Sequence, residues 1–263
     1  MDMPVNRFKH AIAAGGAIPY GVWLVSGAPT TAEALGNAGF DFLVVDTEHT
    51  PIDPPQVADI LRTMAGTPAS AVVRPAWNDM VLIKRLLDTG AQTLLIPFVQ
   101  NAEEAKRAVA HTRYPPEGVR GVAAVHRGSR WGNVPNYPQT AAAEICVIVQ
   151  IETAAAVEHI PAIAAVPGID SLFIGPADLA ASMGHLGNFN HPDVQAKIKH
   201  AVELCRKAGK PVGTVGPNPE SVVRYLEYGF TWIAINSDIG MMVGRATEWL
   251  GKVKAGAPGA PKA

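Results

Sequence analysis

The sequence has few cysteines and no long apolar run. Its two cysteines, Cys146 and Cys205, are isolated and show no CxxC spacing, so both are predicted to be buried thiols rather than parts of a disulfide framework. No uninterrupted apolar run reaches the roughly 20 residues that a membrane helix requires. Gly15, Gly16 and Pro19 interrupt the apolar segment near the amino terminus, which argues against a signal peptide. A cytoplasmic location is therefore expected.

An excess of charge of one sign is also missing. The chain has 22 Lys and Arg against 23 Asp and Glu, and the basic residues are scattered, which argues against a nucleic-acid partner. Apolar residues make up 48% of the 263 residues, enough for a well-buried core. This length suits one α/β barrel. We expect one domain over residues 1–254, with no nucleic-acid or membrane partner, and a disordered low-complexity tail over residues 255–263.

Short apolar runs alternate along the chain with longer Ala-rich segments of helical spacing. This alternation is typical of βα units that build a parallel sheet. Eight such units favour a closed (β/α)8 TIM barrel over a doubly wound open sheet, which usually has fewer strands. The predicted strands are Tyr20–Val25, Phe42–Val45, Ala71–Arg74, Thr93–Phe98, Ile145–Ile151, Ser171–Ile174, Val212–Val215 and Trp232–Ile235.

Helix boundaries are predicted from capping residues and glycines. Thr30 and Glu33 have the spacing of a capping box, and Asn101 stands where a cap precedes a helix. Asn218 is a further cap, followed by Pro219 at the first helical position. Helix stops are predicted at Gly39, Gly90, Gly209 and Gly229. The long segment over residues 114–138 is predicted to cover the top of the barrel.

Polar residues follow the predicted strands, at the end where α/β barrels carry their active sites. Glu152 and Asp178 follow two neighbouring strands, and a pair of carboxylates suits a hard divalent cation with positions left for substrate. Each acid could instead cap the helix that follows it. The full set of polar residues at these ends is Asp46, Glu48, His49, Arg74, Gln150, Glu152 and Asp178.

His49 and Arg74 are the candidates for base and cation. His49 stands beside Asp46 and Glu48 and is predicted to be a catalytic base, with a hydrogen-bonded rim histidine as the alternative. Arg74 ends an apolar strand and needs an anion, a ligand oxygen or a structural salt bridge. Asp88 lies in the next helix, and its spacing alone favours a solvated helix face.

No predicted strand ends in lysine. A Schiff-base aldolase needs a partly buried lysine, usually at the end of a barrel strand. The lysines nearest to strands lie on helical segments or before a strand instead, as Lys84 and Lys210 do. A carbanion formed at this site would therefore have to be stabilised by a metal that acts as a Lewis acid.

The chain resembles the HpcH/HpaI aldolase family over essentially its whole length. The segments that carry the resemblance are FDFLVVDTEHTP at 40–51, VVRPAWND at 72–79, IKRLLDTGAQTLLIPFVQNAEEA at 83–105, RYPPEGVRGV at 113–122, VQIET at 149–153 and FIGPADLAASMG at 173–184. The resemblance implies an aldolase that joins pyruvate or hydroxypyruvate to an aldehyde, and that cleaves the resulting 4-hydroxy-2-oxoacid. It implies a divalent cation, Mg²⁺, Mn²⁺ or Co²⁺, and no organic cofactor.

The resemblance also assigns roles to residues. Glu152 and Asp178 are expected to hold the metal, and His49 to be the base. Arg74 would stabilise the enolate and Asp88 would raise the basicity of His49. The remaining expected site residues are the catalytic Asp46 and the substrate-binding Gln150, Ala177, Trp23 and Val215. A homohexamer, built as a trimer of dimers that exchange their last helix, is implied as well.

Two departures from the family pattern leave the acceptor aldehyde open. The family often has glycine where this chain has Thr47, and His126 with Arg127 is closer to the branch that acts on sugar acids. One alternative is a lyase of the same superfamily that acts on CoA thioesters and needs a basic groove for the CoA phosphates. The other is a barrel that binds a keto acid without turnover.

Overall fold

Eight parallel strands close into a barrel in the order β1 to β8. The computed structural model describes residues 1–256. Every strand boundary lies within two residues of the predicted one, and the predicted (β/α)8 barrel is confirmed. The strands are β1 (Tyr20–Leu24), β2 (Phe42–Asp46), β3 (Ser70–Arg74), β4 (Thr93–Ile96), β5 (Cys146–Ile151), β6 (Ser171–Ile174), β7 (Val212–Gly216) and β8 (Trp232–Ser237).

Helices surround the barrel and return the chain to the start of each next strand. They are α1 (Arg7–Ala14), α2 (Pro29–Gly36), α3 (Pro54–Met64), α4 (Met80–Asp88), α5 (Ala102–Thr112), α6 (Tyr137–Glu144), α7 (Ala154–Glu158), α8 (Ile160–Ala164), α9 (Pro176–Ser182), α10 (Pro192–Lys207), α11 (Pro219–Tyr228) and α12 (Asp238–Gly256). None is long and apolar enough to span a bilayer, among the residues described. The tail predicted over 255–263 begins inside α12, and its residues 257–263 lie outside the described residues.

Aromatic rings fill the amino-terminal half of the barrel interior. Phe8 of α1 packs edge-on against Phe42 and Trp232, with ring centroids 4.9 and 5.4 Å apart. The indole N–H of Trp232 donates to the Ser171 hydroxyl at 3.0 Å, so this buried donor is satisfied. Gly213 on β7 leaves the space that the Trp232 ring occupies, because a Cβ there would overlap the indole. Helix α1 thus closes the amino-terminal end, and the other end stays open.

The predicted caps and stops are confirmed except at one helix. Asn101 accepts from the Glu104 backbone N–H at 3.0 Å, and Asn218 accepts from that of Ser221 at 2.9 Å. Gly90, Gly209 and Gly229 follow the ends of α4, α10 and α11 within two residues, and their φ values of +67° to +99° lie in a region that glycine enters without strain. Gly39 has φ +98° as well, but α2 already ends at Gly36, so the stop predicted there is wrong. Local backbone chemistry therefore places most helix boundaries.

The capping box predicted at Thr30 and Glu33 is wrong. Helix α2 begins at Pro29, its N-cap is Ala28, and no side chain caps it. Proline fixes φ near the helical value and is favoured at the first helical position. The helix therefore starts two residues earlier than predicted, and Thr30 lies inside its first turn.

The segment over residues 114–138 does not cover the top of the barrel as predicted, but packs at its amino-terminal end. The Arg127 guanidinium donates to the carbonyls of Thr89 and Leu61, at 2.8 and 3.2 Å. Both carbonyls lie where α4 and α3 end, before the next strands begin. The segment lies at this end because it follows α5. Helix α5 runs opposite to the strands and therefore brings the chain back to their amino-terminal ends.

The caps provide a first test. We expect Asn101→Ala to lower the free energy of unfolding by about 1 kcal/mol, because an N–H at the start of α5 loses its acceptor. Thr30→Ala is the matched control and should change it by less than about 0.5 kcal/mol, since Thr30 caps nothing. Urea unfolding followed by circular dichroism, at one protein concentration, measures both. Equal losses would contradict the helix start described for α2.

Candidate active site

A cavity of about 360 Å³ opens at the carboxyl-terminal ends of the strands. It brings together residues from strands that are far apart in sequence, as the closed parallel barrel requires. All of the predicted site residues except Asp88 line it, namely Trp23, Asp46, His49, Arg74, Gln150, Glu152, Ala177, Asp178 and Val215.

Arg74 is buried at the mouth and holds two carboxylates. Its Nε and Nη2 donate to the two oxygens of Asp46, both at 2.9 Å, and its Nη1 lies 2.7 Å from Glu48 Oε2. The guanidinium also lies over the Trp23 ring, 4.3 Å from the centroid. Only 7% of Arg74 is exposed, so these contacts, rather than water, balance its charge.

The turn that follows β2 presents His49 at the rim. Asp46 Oδ1 accepts from the backbone N–H groups of Glu48 and His49, at 2.9 and 3.4 Å. The Thr47 hydroxyl donates to the Arg74 carbonyl at 2.6 Å and ties the turn to β3. The His49 side chain is 66% exposed, and its Nε2 lies 3.9 Å from Glu48. An exposed imidazole at the rim is accessible to a substrate hydroxyl.

Glu152 is held rigidly on the other side of the mouth. The Gln150 amide donates to its Oε1 at 2.5 Å and the Phe98 backbone N–H to its Oε2 at 2.9 Å. Gly175 leaves room for it, because a Cβ there would lie 2.9 Å from Oε1. The pKa of Glu152 is raised to about 7, mainly by burial; the hydrogen bond from Gln150 lowers this pKa, and the Asp178 carboxylate raises it.

These residues fit a divalent cation. Burial raises the pKa of Glu48 as well, and both Asp178 and Glu48 disfavour a negative charge on Glu152, so the mouth holds more acid than its own cations balance. The side-chain oxygen of Gln150 is buried and has no hydrogen-bond partner among the described residues. Carboxylate and amide oxygens are the ligands of hard cations. A cation beside Glu152 and Asp178 would relieve the repulsion.

A second group of metal-ligand side chains lies outside this lining. His185 and His191 stack with ring centroids 3.6 Å apart, and one ligand atom of each lies within 4.8 Å of a carboxylate oxygen of Asp193. The three residues sit in and after the segment that joins α9 to α10. None of them lines the mouth.

Asp88 is not brought to the mouth of its own chain. It accepts from Arg120 Nη2 at 2.8 Å, and its Oδ1 lies 3.9 Å from His126 Nε2. Burial lowers the pKa of His126, while Asp88 raises it. Asp88 ends α4, which runs opposite to the strands, so it lies at the other end of the barrel from His49. His126 and Arg127 lie at that end too.

Several mouth residues were not predicted from the sequence. Phe173 and Phe189 form an apolar wall, and Asn236 with Ser237 lines the side formed by β8. The next residue, Asp238, accepts from the Val25 backbone N–H at 2.9 Å and so joins β8 to β1. The polar run at the end of β8 obeys the strand-end rule used for the other strands. Phe189 lies in an irregular segment that carries no such signal.

The chain is similar to known proteins over most of its length. The model of the family described as HpcH/HpaI aldolase/citrate lyase matches residues 19–244. The chain belongs to this family. It is 50% identical over 236 residues, 90% of this chain and 92% of the relative, to a 2-dehydro-3,6-dideoxy-6-sulfogluconate aldolase from Pseudomonas putida.

Two further proteins that the chain is similar to support its assignment to the HpcH/HpaI family. A 4-hydroxy-2-oxo-heptane-1,7-dioate aldolase from Klebsiella pneumoniae is 50% identical over 90% of this chain and 89% of its own length. The crystal structure of a family protein from Burkholderia cenocepacia superposes with a TM-score of 0.92, at 39% identity, over 95% of this chain and 100% of the other. The predicted family and carbon–carbon lyase class are confirmed, and the family is metal-dependent.

The ion pair at the mouth gives a second test. We expect Asp46→Ala to lower the free energy of unfolding by about 3 kcal/mol, because it leaves the buried Arg74 with Glu48 as its one remaining carboxylate partner. Asp59→Ala removes the partner of Arg62 in an exposed pair, and should cost about 0.5 kcal/mol or less. Urea unfolding at pH 7 compares them. A loss at Asp46 no larger than that at Asp59 would show that the pair does not stabilise the mouth.

Proposed function

We propose that this chain is a metal-dependent class II pyruvate aldolase. It would cleave 4-hydroxy-2-oxoacids to pyruvate, or hydroxypyruvate, and an aldehyde, and would run the addition in reverse. The observation that supports this proposal most strongly is that one cavity is lined by an exposed histidine, a buried arginine and the acid pair Glu152 and Asp178. The names of the relatives, which are aldolases of oxo acids, support the same reaction class.

Glu152 and Asp178 would hold the cation, which we propose to be Mg²⁺, Mn²⁺ or Co²⁺, and no organic cofactor is proposed. When bound, the cation would draw electrons from the keto carbonyl of the substrate. Gln150 and Ala177 would contact the pyruvate portion, and Trp23 with Val215 would line its site. The oxygen of Gln150 and the indole N–H of Trp23 both lack a partner among the described residues, which supports contact with a ligand.

Arg74 stabilises the charge that cleavage creates. A guanidinium has five N–H groups, and two of those of Arg74 donate to Asp46, while Glu48 is an ion-pair partner of Nη1. N–H groups therefore remain on Arg74 for a substrate oxygen. In cleavage, His49 takes the proton of the 4-hydroxyl group, and C4 becomes the aldehyde carbon. The electron pair of the C3–C4 bond moves into the enolate of pyruvate, whose oxygen faces Arg74. The proton that His49 took then passes to the methylene carbon, directly or by exchange with water, and gives the methyl group, so that the cleavage balances.

The two alternative functions fit this cavity less well. A lyase for CoA thioesters would need a cluster of basic residues at the mouth, and Arg74 is the one arginine or lysine that lines it among the described residues. A barrel that only bound a keto acid would have no use for an accessible base at the rim. Exchange of the methyl protons of pyruvate with D₂O would separate such a barrel from an aldolase.

Oligomerisation and location belong to the same proposal. Helix α12 has a single buried residue, Asp238, and an exposed apolar series made of Met242, Val243, Trp249, Leu250 and Val253. This series supports exchange of the last helix between chains in a homohexamer, a trimer of dimers. In such an assembly Asp88 could act on the His49 of a neighbouring chain. The two buried free thiols support a cytoplasmic location.

Metal dependence is tested by removing the metal and its ligands. We expect EDTA to abolish cleavage of a 4-hydroxy-2-oxoacid, and Mg²⁺, Mn²⁺ or Co²⁺ to restore it. Glu152→Gln and Asp178→Asn should each weaken metal binding by about 100-fold or more in calorimetric titrations. Glu158→Gln, a surface acid paired with Lys197, is the control and should bind normally. Full activity in EDTA, with borohydride trapping of pyruvate, would instead indicate a Schiff-base lysine.

The role proposed for Asp88 is tested by complementation. His49→Ala and Asp88→Asn should each cleave slowly as pure proteins. If Asp88 acts across chains, the two variants can be mixed in equal amounts, dissociated and reassembled at random. About one quarter of the active sites should then combine an intact His49 from one chain with an intact Asp88 from its neighbour, and about one quarter of wild-type activity should return. A mixture no more active than the two separate proteins would restrict Asp88 to its own chain, where its partner is Arg120.

A further inference from the structure

A second cavity, of about 240 Å³, lies at the amino-terminal end of the barrel. It is bounded by the starts of α1 and β3, the turn before β4, the end of α3 and the segment before α6. Arg7, Arg127 and Arg130 line it, and among residues 1–256 no aspartate or glutamate does. The cavity is therefore strongly electropositive in a chain whose net charge is −1.

Arg127 is built into the wall of this cavity. Its guanidinium is fixed by the carbonyls of Thr89 and Leu61, and it forms no ion pair with a carboxylate of the described residues. Gly90 leaves room for it, because a Cβ there would lie 2.6 Å from its Nη1. Burial lowers the pKa of Arg127, and the charges of Arg130 and Arg62 lower it further. Its positive charge is thus held in place without a counter-ion.

Two acids near this cavity have other partners. Asp59 pairs with Arg62 on the surface of α3. Glu144 accepts from the Asn6 backbone N–H at 2.7 Å and contacts the His10 ring at 3.2 Å. Neither carboxylate lines the cavity. Uncompensated guanidinium groups around a concave space attract an anion from solution.

We propose that this cavity binds a small oxyanion of charge two or more, at a site separate from the catalytic mouth. The planar fork of a guanidinium matches both phosphate and carboxylate groups. Apolar side chains beside the arginines would contact a short carbon body; they are Met3, Leu61, Met64 and Tyr137. The volume is below that of pockets for drug-sized ligands, so the ligand is small.

Titration calorimetry at low ionic strength tests the proposal, with inorganic phosphate and succinate as separate probes of the full-length, metal-loaded protein. We expect saturable binding of at least one probe, and the probe that binds identifies the anionic group. Arg127→Gln and Arg130→Gln should each weaken binding on the order of tenfold, the loss of one charge-assisted contact. Arg62→Gln removes a charge that acts on Arg127 from outside the lining, and should change binding less than about twofold.

Further variants distinguish binding in this cavity from binding in the catalytic mouth. Arg130 is exposed and its guanidinium forms no hydrogen bond with the described residues, so Arg130→Gln keeps the test valid if Arg127→Gln misfolds. Binding that is lost in Arg74→Gln but kept in Arg127→Gln would place the anion in the catalytic mouth and overturn the proposal. Absence of binding to the wild-type protein would also overturn it. In that case, an altered sedimentation coefficient of Arg127→Gln would identify the cavity as an interface between copies.

Discussion

The ion pair between Arg74 and Asp46 is the interaction on which the mouth of the barrel depends. The two residues end β3 and β2 and are direct partners in the strand register, so backbone pairing alone brings the guanidinium to the carboxylate. A buried charge without a partner would be costly, and this pair removes that cost for both residues. Asp46 also fixes the turn that carries His49. This one ion pair therefore orders the Arg74 guanidinium, the Asp46 carboxylate and the turn that carries the candidate base His49.

The cavities at the two ends of the barrel are lined by side chains of opposite charge. At the carboxyl-terminal end, Glu48, Glu152 and Asp178 place an excess of acid around a single arginine, which favours a bound cation. That cation would in turn attract an anionic substrate. At the amino-terminal end, arginines surround a cavity without a lining acid among the described residues. The packed aromatic interior around Phe42 and Trp232 separates the two ends. The net charge of the chain is near zero and does not reveal this division, because the division depends on where the charged residues lie in three dimensions.

The strands and most of the mouth could be predicted from the sequence, because both follow from local rules. Strand boundaries follow from apolar runs, and a residue such as Glu152 directly after a strand must lie at the mouth of a closed barrel. Asp88 could not be placed this way, since a helix end points to the opposite side and its partner Arg120 is 32 residues away. The arginine cavity could not be predicted from the sequence for a similar reason, because Arg7 and Arg127 come to line one cavity only through tertiary packing.

The proposed function requires the mouth to bind a divalent cation and pyruvate together. A crystal grown with Mn²⁺ and pyruvate, measured at a wavelength where manganese scatters anomalously, locates the ion directly. We expect one strong anomalous peak in contact with the carboxylates of Glu152 and Asp178, with pyruvate bound beside it within reach of Arg74. A peak at His185, His191 and Asp193 instead, with no ion and no pyruvate in the mouth, would contradict the proposed function.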